Sequence, residues 1–264
     1  MRILIINLDR EVERLEFQTM QMTRLGLEFE RLSAVSVDRL PSDVGDGYWQ
    51  TWERELSGGE KACFLSHRRA WTEVAAGNSP ALILEDDAWL AGTVAGLLRK
   101  LETREGIDHL SLETRNRRKL LSRTAQELAP GVLARRLFLD RSGAAAYVLW
   151  PSGAKKLLAR SERRPALADA MICQASELNS FQCDPAQAIQ LDMAPHYKLE
   201  APLKTQSSLT PTSNGSNGSH GSKALGRSPG QRMRRILAQV HMGLRIVGNS
   251  HRARRVFIYP ANGF

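Results

Sequence analysis

The sequence predicts an α/β protein whose mixed, mostly parallel sheet is flanked by helices, and three consecutive stretches near its beginning support this class. The apolar run RILIIN, residues 2–7, is typical of a short buried strand. Residues 10–26 carry apolar side chains at helical spacing and end in a glycine that can cap a helix. FERLSAVSV, residues 29–37, then returns to a strand-like pattern. A strand, a helix and a second strand in this order favour parallel pairing of the two strands.

A second helix and a third strand are predicted further along the chain. Residues 41–57 contain a proline, two glycines and two tryptophans, and we interpret them as an irregular loop. Ser57 and Glu60 have the spacing of a capping box, so a helix is expected to begin there and to end at Gly77. The apolar stretch ALILE, residues 81–85, predicts the next strand.

The later part of the domain continues with strands and a helix. HLSLE (109–113) and AAAYVLW (144–150) have the composition of strands. PSGAKKLLARS (151–161) has a proline at the position where helices tolerate it best. These patterns place one folded domain in residues 1–204.

The end of the chain has a different composition. Residues 205–231 are rich in Ser, Gly, Asn, Thr and Pro and are predicted to form a flexible linker. Residues 232–264 combine arginines with apolar residues at helical spacing, which predicts a basic amphipathic helical tail.

Composition and charge limit the functional classes. The 264 residues are 42% hydrophobic, which is ordinary for a globular protein, and no run has the length of a secretory signal or a spanning helix. Three cysteines without zinc-ribbon spacing favour reduced thiols and a cytoplasmic protein. The net charge is +9, but residues 1–200 carry 27 basic and 28 acidic side chains, so the excess lies in the C-terminal part. A nucleic-acid-binding function is therefore not expected for the domain.

Three consecutive acids follow the third predicted strand. Carboxylates at the end of a buried strand lose hydration and repel one another unless a cation or hydrogen bonds compensate. Glu85 and Asp87 are two residues apart and should point the same way, so both can reach one ligand. Mg²⁺ and Mn²⁺ prefer such oxygen ligands, often together with phosphate oxygens. An acidic strand end that simply faces solvent is the alternative.

Five blocks of the sequence resemble one enzyme family. In the family's order they are INLDREVER (6–14), LSGGEKACFLSHRRAW (56–71), LILEDDA (82–88), GAAAYVLWPSGAKKLL (143–158) and APLKTQSS (201–208). They resemble the glycosyltransferase family 25 proteins, the lipopolysaccharide and lipooligosaccharide galactosyltransferases. The resemblance implies a GT-A-like fold, a UDP-sugar donor (usually UDP-galactose), Mn²⁺ or Mg²⁺ at a DxD-like motif, a glycan or glycolipid acceptor, and transfer with inversion.

The resemblance and the residue pattern together assign candidate roles. Asp87 is the expected metal ligand with Glu85, and Glu85 and Asp86 are expected to position the donor. Arg10 and Arg14, four residues apart, could contact a diphosphate, or could lie on a solvated helix face. The remaining donor-binding candidates are Asn7, Leu8, Asp9, Glu60, Ser66 and Gln206, and Glu60 also has a structural role in the predicted capping box.

Catalytic roles are predicted for three further residues. His67 belongs to the helix block of the family and is expected to orient a carboxylate or the donor, although a histidine on an apolar helix face is often structural. An inverting transferase needs a general base. The family pattern suggests Asp169, whose spacing from the preceding proline departs from the usual one, and Glu113 at a strand end competes with it. Either carboxylate could instead pair with nearby arginines.

The basic C-terminal segment leaves several partners open. It could hold the enzyme at an anionic membrane, which would place the protein peripherally on the inner face of the bacterial inner membrane. It could instead pack against the domain. A metal-dependent phosphohydrolase, or a protein that binds nucleic acid or another anionic surface through this segment, are the alternative functions.

Overall fold

The computed structural model describes residues 1–41, 45–141, 143–203 and 229–264. The elements alternate along the first half of the chain much as the sequence predicts. The α-helices of the described part are α1 Val12–Leu25, α2 Asp46–Trp49, α3 Gly58–Ala76, α4 Val94–Leu101, α5 Pro151–Arg163, α6 Ala168–Gln174 and α7 Pro229–Gly248. Its strands are β1 Arg2–Asn7, β2 Glu30–Ser33, β3 Ala81–Glu85, β4 Ala88–Leu90, β5 His109–Ser111, β6 Lys119–Ser122, β7 Gln126–Ala129, β8 Val132–Leu139, β9 Ala146–Leu149, β10 Ser180–Asp184, β11 Ala188–Gln190 and β12 Ala253–Val256.

A large mixed sheet forms the centre of the fold. Its strands follow the order β12-β6-β8-β10-β5-β9-β3-β1-β2, and β7 pairs with β8 at the side. β1 pairs in parallel with β2 and β3, and β5 pairs in parallel with β10, whereas the other pairs are antiparallel. β4 and β11 form a separate two-stranded sheet. The predicted α/β class, with helices flanking a mixed sheet, is confirmed, although antiparallel pairs outnumber parallel ones in this sheet.

Helices cover both faces of the sheet around β1 and β3. Leu4 and Ile83 pack with residues of α3, α5 and α6, whereas Ile3 and Leu82 pack with residues of α1 and α4. Alternate side chains of one strand thus enter two different cores, as the two-residue repeat of a strand requires. A strand that is buried on both faces is apolar along its length. Its first polar side chains therefore lie where the strand ends.

The local signals at α3 and α5 are observed in the structure. The Ser57 side chain accepts from Glu60 N and the Glu60 carboxylate accepts from Ser57 N, so the predicted capping box begins α3. Pro151 begins α5. Gly153 is required near this point, because a Cβ there would lie 2.3 Å from the backbone oxygen of Asp108.

Within the predicted irregular loop at residues 41–57, of which 42–44 lie outside the described residues, the structure shows a helix and two buried side chains. Asp46–Trp49 form the short helix α2, and Trp49 and Trp52 are buried in the core against α3. Tyr48 Oη donates to the backbone oxygen of Ser161, which ties this stretch to α5. The two tryptophans are therefore core residues. A loop was predicted here because a proline and two glycines lie near them in the sequence.

The C-terminal helix returns to the sheet. Pro229–Gly248 form α7, so the last three residues of the predicted linker belong to this helix. β12 then pairs antiparallel with β6, and the Phe264 ring lies 5.5 Å from that of Trp89. A free basic tail is not confirmed, because the chain beyond α7 pairs with the sheet. The domain boundaries at residues 204 and 231 stay predictions. Among the described residues, no helix is both long and apolar enough to cross a membrane.

Candidate functional site

A cleft opens where β1 and β3 end. It has a volume of about 230 Å³ and lies between the β1–α1 connection, the segment after β2, α3 and the acidic end of β3. Parallel strands present their carboxyl ends at the same edge of the sheet, and ligands of α/β proteins bind just outside those ends. The predicted acidic cluster forms part of this cleft, with Glu85, Asp86 and Asp87 among its lining residues.

Two of the three acids converge on one amide. Gln190 Nε2 lies 3.3 Å from Glu85 Oε2 and 3.5 Å from each carboxylate oxygen of Asp87. Gln190 comes from β11, whose pairing with β4 brings it beside the end of β3. The predicted common direction of Glu85 and Asp87 is thus observed. Their oxygens could be bridged by a single ligand from the cleft.

The middle acid is engaged by other partners. Asp86 accepts from Arg14 Nη1 and from Asn7 Nδ2, each at 2.9 Å, and all three side chains are buried. Burial raises the pKa of Asp86, and the adjacent Arg14 counteracts this by favouring the ionised form. The contact ties α1 to the end of β3. The polar groups of these three residues are used in this structural contact. Donor binding by them stays a prediction.

Electrostatics at Asp87 favour a cation. Burial, and then the negative charges of Glu85 and Asp86, raise the pKa of Asp87 to about 7. A divalent ion beside the carboxylates would favour their ionised forms. Carboxylate oxygens that reach one point in a cleft are a donor set that Mg²⁺ and Mn²⁺ accept. Glu85 and Asp87 therefore fit the expected metal, while its binding remains a prediction.

A buried hydrogen-bond relay fixes the position of Glu85. His67 Nε2 lies 3.1 Å from Glu85 Oε1, and His67 Nδ1 lies 2.9 Å from Tyr147 Oη. Trp71 Nε1, which can only donate, lies 2.9 Å from the same Tyr147 oxygen. The Glu85 carboxylate can only accept, so it favours the His67 tautomer with the proton on Nε2, and Tyr147 can then accept from Trp71 and donate to His67 Nδ1. The geometry agrees with the predicted orienting role of His67.

Removal of the Tyr147 hydroxyl should disturb this relay. Tyr147→Phe leaves the buried Trp71 N–H without its acceptor, and we expect a loss of about 1–3 kcal/mol in unfolding free energy. The Glu85 carboxylate still accepts from His67 Nε2, so the Nε2–H signal should persist, whereas His67 Nδ1 loses its partner and its ¹⁵N chemical shift should change.

Tyr48→Phe is the matched control for that experiment. It removes a tyrosine hydrogen bond to Ser161 and does not touch His67. It should lower stability without changing the ¹⁵N chemical shift of His67 Nδ1. A wild-type spectrum that places the proton on Nδ1 would contradict the proposed direction of the relay.

The other donor-binding candidates divide into two groups. Leu8, Arg10 and Ser66 line the cleft. Arg10 is exposed, whereas Ser66 Oγ donates to Ala62 O and accepts from Val35 N, each at 2.8 Å, and so joins α3 to the segment after β2.

Two further candidates, like Asn7, are not part of the cleft lining that the structure describes. Asp9 is exposed and pairs with Arg31 at 2.5 Å. Glu60 accepts from Arg54 and completes the capping box, so its structural role accounts for its contacts. Gln206 falls outside the described residues.

Glu113 lies in the interior near the end of β5. Its Oε1 accepts from Ala145 N at 2.8 Å, and its Oε2 is buried without a hydrogen-bond partner in the described part of the chain. Burial raises the pKa of Glu113 to about 8, although nearby Lys119 opposes the shift. The side chain does not line the cleft. It is therefore protonated at neutral pH and is poorly placed to take a proton from an acceptor.

The raised pKa of Glu113 predicts a pH-dependent stability. In the unfolded chain a glutamate ionises near pH 4.3, so the stability from the neutral form is complete below that value and is lost as the pH rises to about 8. Glu113→Gln imitates the neutral form, so its unfolding free energy should fall less steeply with pH than that of the wild type, by up to about 1.4 kcal/mol per pH unit. Urea unfolding between pH 5 and 9 measures it. Glu127→Gln, at an exposed glutamate of β7, should keep the wild-type slope, and equal slopes in both variants would refute the assignment.

Asp169, the other base candidate, lies in the first turn of α6. It is half-buried, and its Oδ1 accepts from Ala170 N at 2.6 Å. Burial raises the pKa of Asp169, with further contributions from the charges of Glu85 and Asp140, whereas His67 lowers it. Asp169 thus interacts electrostatically with the acidic cluster, although it is not a lining residue of the cleft. Its role as base stays a prediction.

Several residues at this site were not predicted from the sequence. Gln190 contacts both converging carboxylates, and Tyr147 holds His67. Arg115 and Asp192 form an ion pair of 2.8 Å and both line the cleft. Tyr147 lies in a predicted strand, but no motif marks its hydroxyl. The other three residues lie in stretches without a signal.

The fold and the cleft define an α/β enzyme with an acidic site at the end of its central strands. A family model described as glycosyltransferase family 25 (LPS biosynthesis protein) matches residues 1–172, which is more than half of the chain. The chain belongs to this family. It is accordingly a glycosyltransferase of lipopolysaccharide biosynthesis, with a sugar donor and a glycan acceptor. A search of curated proteins gives no match.

Proposed function

We propose that the protein is an inverting, metal-dependent hexosyltransferase that moves galactose from UDP-galactose to a lipopolysaccharide, lipooligosaccharide or related glycan. The observation that carries the proposal is the convergence of Glu85 and Asp87 on Gln190 at the cleft. Mn²⁺ or Mg²⁺ held by these carboxylates would neutralise the charge that builds on the leaving diphosphate.

The protein's own groups have distinct tasks in this proposal. The Gln190 amide keeps the two carboxylates together, and His67 holds Glu85 in its direction. Arg10 lies at the cleft with its side chain 62% exposed and its Nε 3.6 Å from Glu11 Oε1, and this exposed contact can be exchanged for one to a phosphate. Asp169, with its raised pKa, takes the proton of the acceptor hydroxyl during displacement.

The direct test is a donor screen with the full chain. UDP-galactose, UDP-glucose and the UDP-N-acetylhexosamines are incubated with a deacylated oligosaccharide acceptor, with Mn²⁺ or with a chelator. We expect UDP release from UDP-galactose that depends on the cation, and a product whose anomeric configuration is opposite to that of the donor. UDP release without a cation would refute the metal dependence, and a product with retained configuration would refute inversion. Release of inorganic phosphate would indicate a phosphohydrolase.

We further propose that α7 attaches the enzyme to an anionic bilayer at the inner face of the bacterial inner membrane. The helix has no acidic residue and carries four arginines, of which Arg232, Arg234 and Arg235 are exposed. Each basic residue near an anionic surface contributes about 1 kcal/mol. The helix also exposes a set of apolar side chains, each more than half accessible: Met233, Ile236, Leu237, Val240, Leu244 and Val247.

Vesicle binding tests this attachment. The full chain should sediment with phosphatidylglycerol vesicles and much less with phosphatidylcholine vesicles. Leu237→Gln with Leu244→Gln should weaken binding by at least about tenfold, since each substitution removes apolar area from the bilayer. Val12→Gln changes an exposed apolar residue of α1 and serves as the control. Equal binding of the α7 variant and the control would refute the proposal.

A further inference from the structure

Three different metal-binding side chains meet on one side of the cleft. Cys63 and His67 are four residues apart on α3 and therefore share a helix face. Glu85 comes from the end of β3. The sulfur of Cys63, a ring nitrogen of His67 and a carboxylate oxygen of Glu85 all lie within 4.8 Å of one another, and the three residues line the cleft.

We propose that Cys63, His67 and Glu85 form a second cation site, selective for Zn²⁺ and related borderline-soft ions, and that an ion bound there inhibits the enzyme. Sulfur and imidazole nitrogen are ligands that Zn²⁺ accepts readily, whereas Mg²⁺ and Mn²⁺ favour oxygen. Three protein ligands would leave the fourth position of a tetrahedral ion open toward the cleft.

The surrounding hydrogen bonds can adapt to such an ion. Coordination uses the Nε2 lone pair of His67, so the ring proton must move to Nδ1. Tyr147 Oη lies 2.9 Å from Nδ1 and has two lone pairs, so it can accept from both His67 and Trp71. A ligating histidine is commonly held in this way through its other nitrogen. The Cys63 thiol proton leaves to solvent as the thiolate–metal bond forms.

Inhibition follows from the shared carboxylate. Glu85 belongs both to this set and to the Glu85–Asp87 pair that we assign to Mn²⁺ or Mg²⁺, and one carboxylate in a small site cannot serve both ions fully. Zn²⁺ should therefore compete with Mn²⁺. This step rests on the proposed function, whereas formation of the site itself does not.

Cobalt spectroscopy tests the site without any donor. Co²⁺ is titrated into the reduced full chain, and a tetrahedral thiolate complex gives a sulfur-to-cobalt charge-transfer band with intense ligand-field bands. We expect these bands in the wild type and in Cys173→Ser, whose thiol on α6 lies outside the set. Cys63→Ser should lack the charge-transfer band. Circular dichroism checks that each variant is folded, and Cys63→Ala replaces the serine variant if that one is not.

Enzyme kinetics separate the two parts of the inference. The Zn²⁺ concentration for half-inhibition, measured against each variant's own Mn²⁺-dependent rate, should rise at least about tenfold in Cys63→Ser, because even outer partners of a metal affect affinity by about 10- to 100-fold. Absence of the wild-type cobalt band, or its survival in Cys63→Ser, would overturn the site. A band without Zn²⁺ inhibition would overturn the inhibition, and absent Mn²⁺-dependent transfer would refute the proposed function alone.

Discussion

Asp87→Asn is expected to lower glycosyl transfer by about a hundred- to a thousandfold, which is the usual effect of removing one group that stabilises developing charge. Asparagine has nearly the shape of aspartate, and its amide can remain near Gln190. It offers no negative charge to the cation that we place between residues 85 and 87. The loss should appear in kcat, with weaker binding of Mn²⁺ measured by calorimetry.

The same substitution should stabilise the cation-free protein at alkaline pH. Asp87 has a pKa of about 7 in the fold, against about 3.9 in an unfolded chain. Its contribution to stability is complete below about pH 3.9 and is lost as the pH rises through 7, because the ionised form is disfavoured by burial and by Glu85. Asparagine avoids this cost. The melting temperature of the variant should exceed that of the wild type at pH 8 and differ little at pH 4.

Addition of Mn²⁺ should reverse the order of stability. The cation stabilises the wild type by binding to the folded state, and should do so far less in Asp87→Asn. Asp38→Asn makes the same chemical change at an exposed position outside the cleft, and should behave as the wild type in both assays. Full activity of Asp87→Asn, or an undiminished response of its melting temperature to Mn²⁺, would remove Asp87 from the site.

The parts of the fold that sequence predicts best are those set by nearby residues. The apolar runs of β1 and β3 and the Ser57–Glu60 box depend on contacts within a few positions, and the structure shows all of them. The two-residue repeat of a strand predicts a shared direction for Glu85 and Asp87, and both do reach Gln190, although β3 ends at Glu85 and Asp87 lies in the turn before β4. The apolar runs, the capping box and the strand repeat were therefore enough to predict an acidic site at the end of a central strand.

Partners that are distant in sequence could not be predicted in this way. Gln190 reaches Asp87 across 103 positions, because β11 pairs with β4. Tyr147 meets His67 across 80 positions through the pairing of β9 with β3. Strand β12, with the sequence ARRV, has almost no apolar pattern and is placed by its pairing with β6. Each of these contacts depends on topology, which a single sequence does not specify.

A general base must receive the proton of the acceptor hydroxyl, and the two candidate carboxylates differ in their surroundings. Glu113 is 1% exposed, does not line the cleft and is protonated below a pKa of about 8. Asp169 is half-buried, and its pKa is raised by burial and by the acidic cluster, which makes it a stronger base than an ordinary aspartate. Asp169 does not line the cleft either, so its assignment as the base stays a prediction that rests on its partial exposure and raised pKa.

Asp169→Asn should lower kcat by about a hundred- to ten-thousandfold, which is the range for loss of a general base. The KM for the donor and the affinity for Mn²⁺ should change little, because the metal and the diphosphate are assigned to Glu85 and Asp87. Glu113→Gln replaces a group that is already neutral at pH 7, so its kcat should stay within a few-fold of the wild type. Steady-state kinetics of both variants at pH 7 make the comparison. A large loss of kcat in Glu113→Gln with little change in Asp169→Asn would identify Glu113 as the base. Loss of donor binding in Asp169→Asn would instead indicate that Asp169 binds the donor.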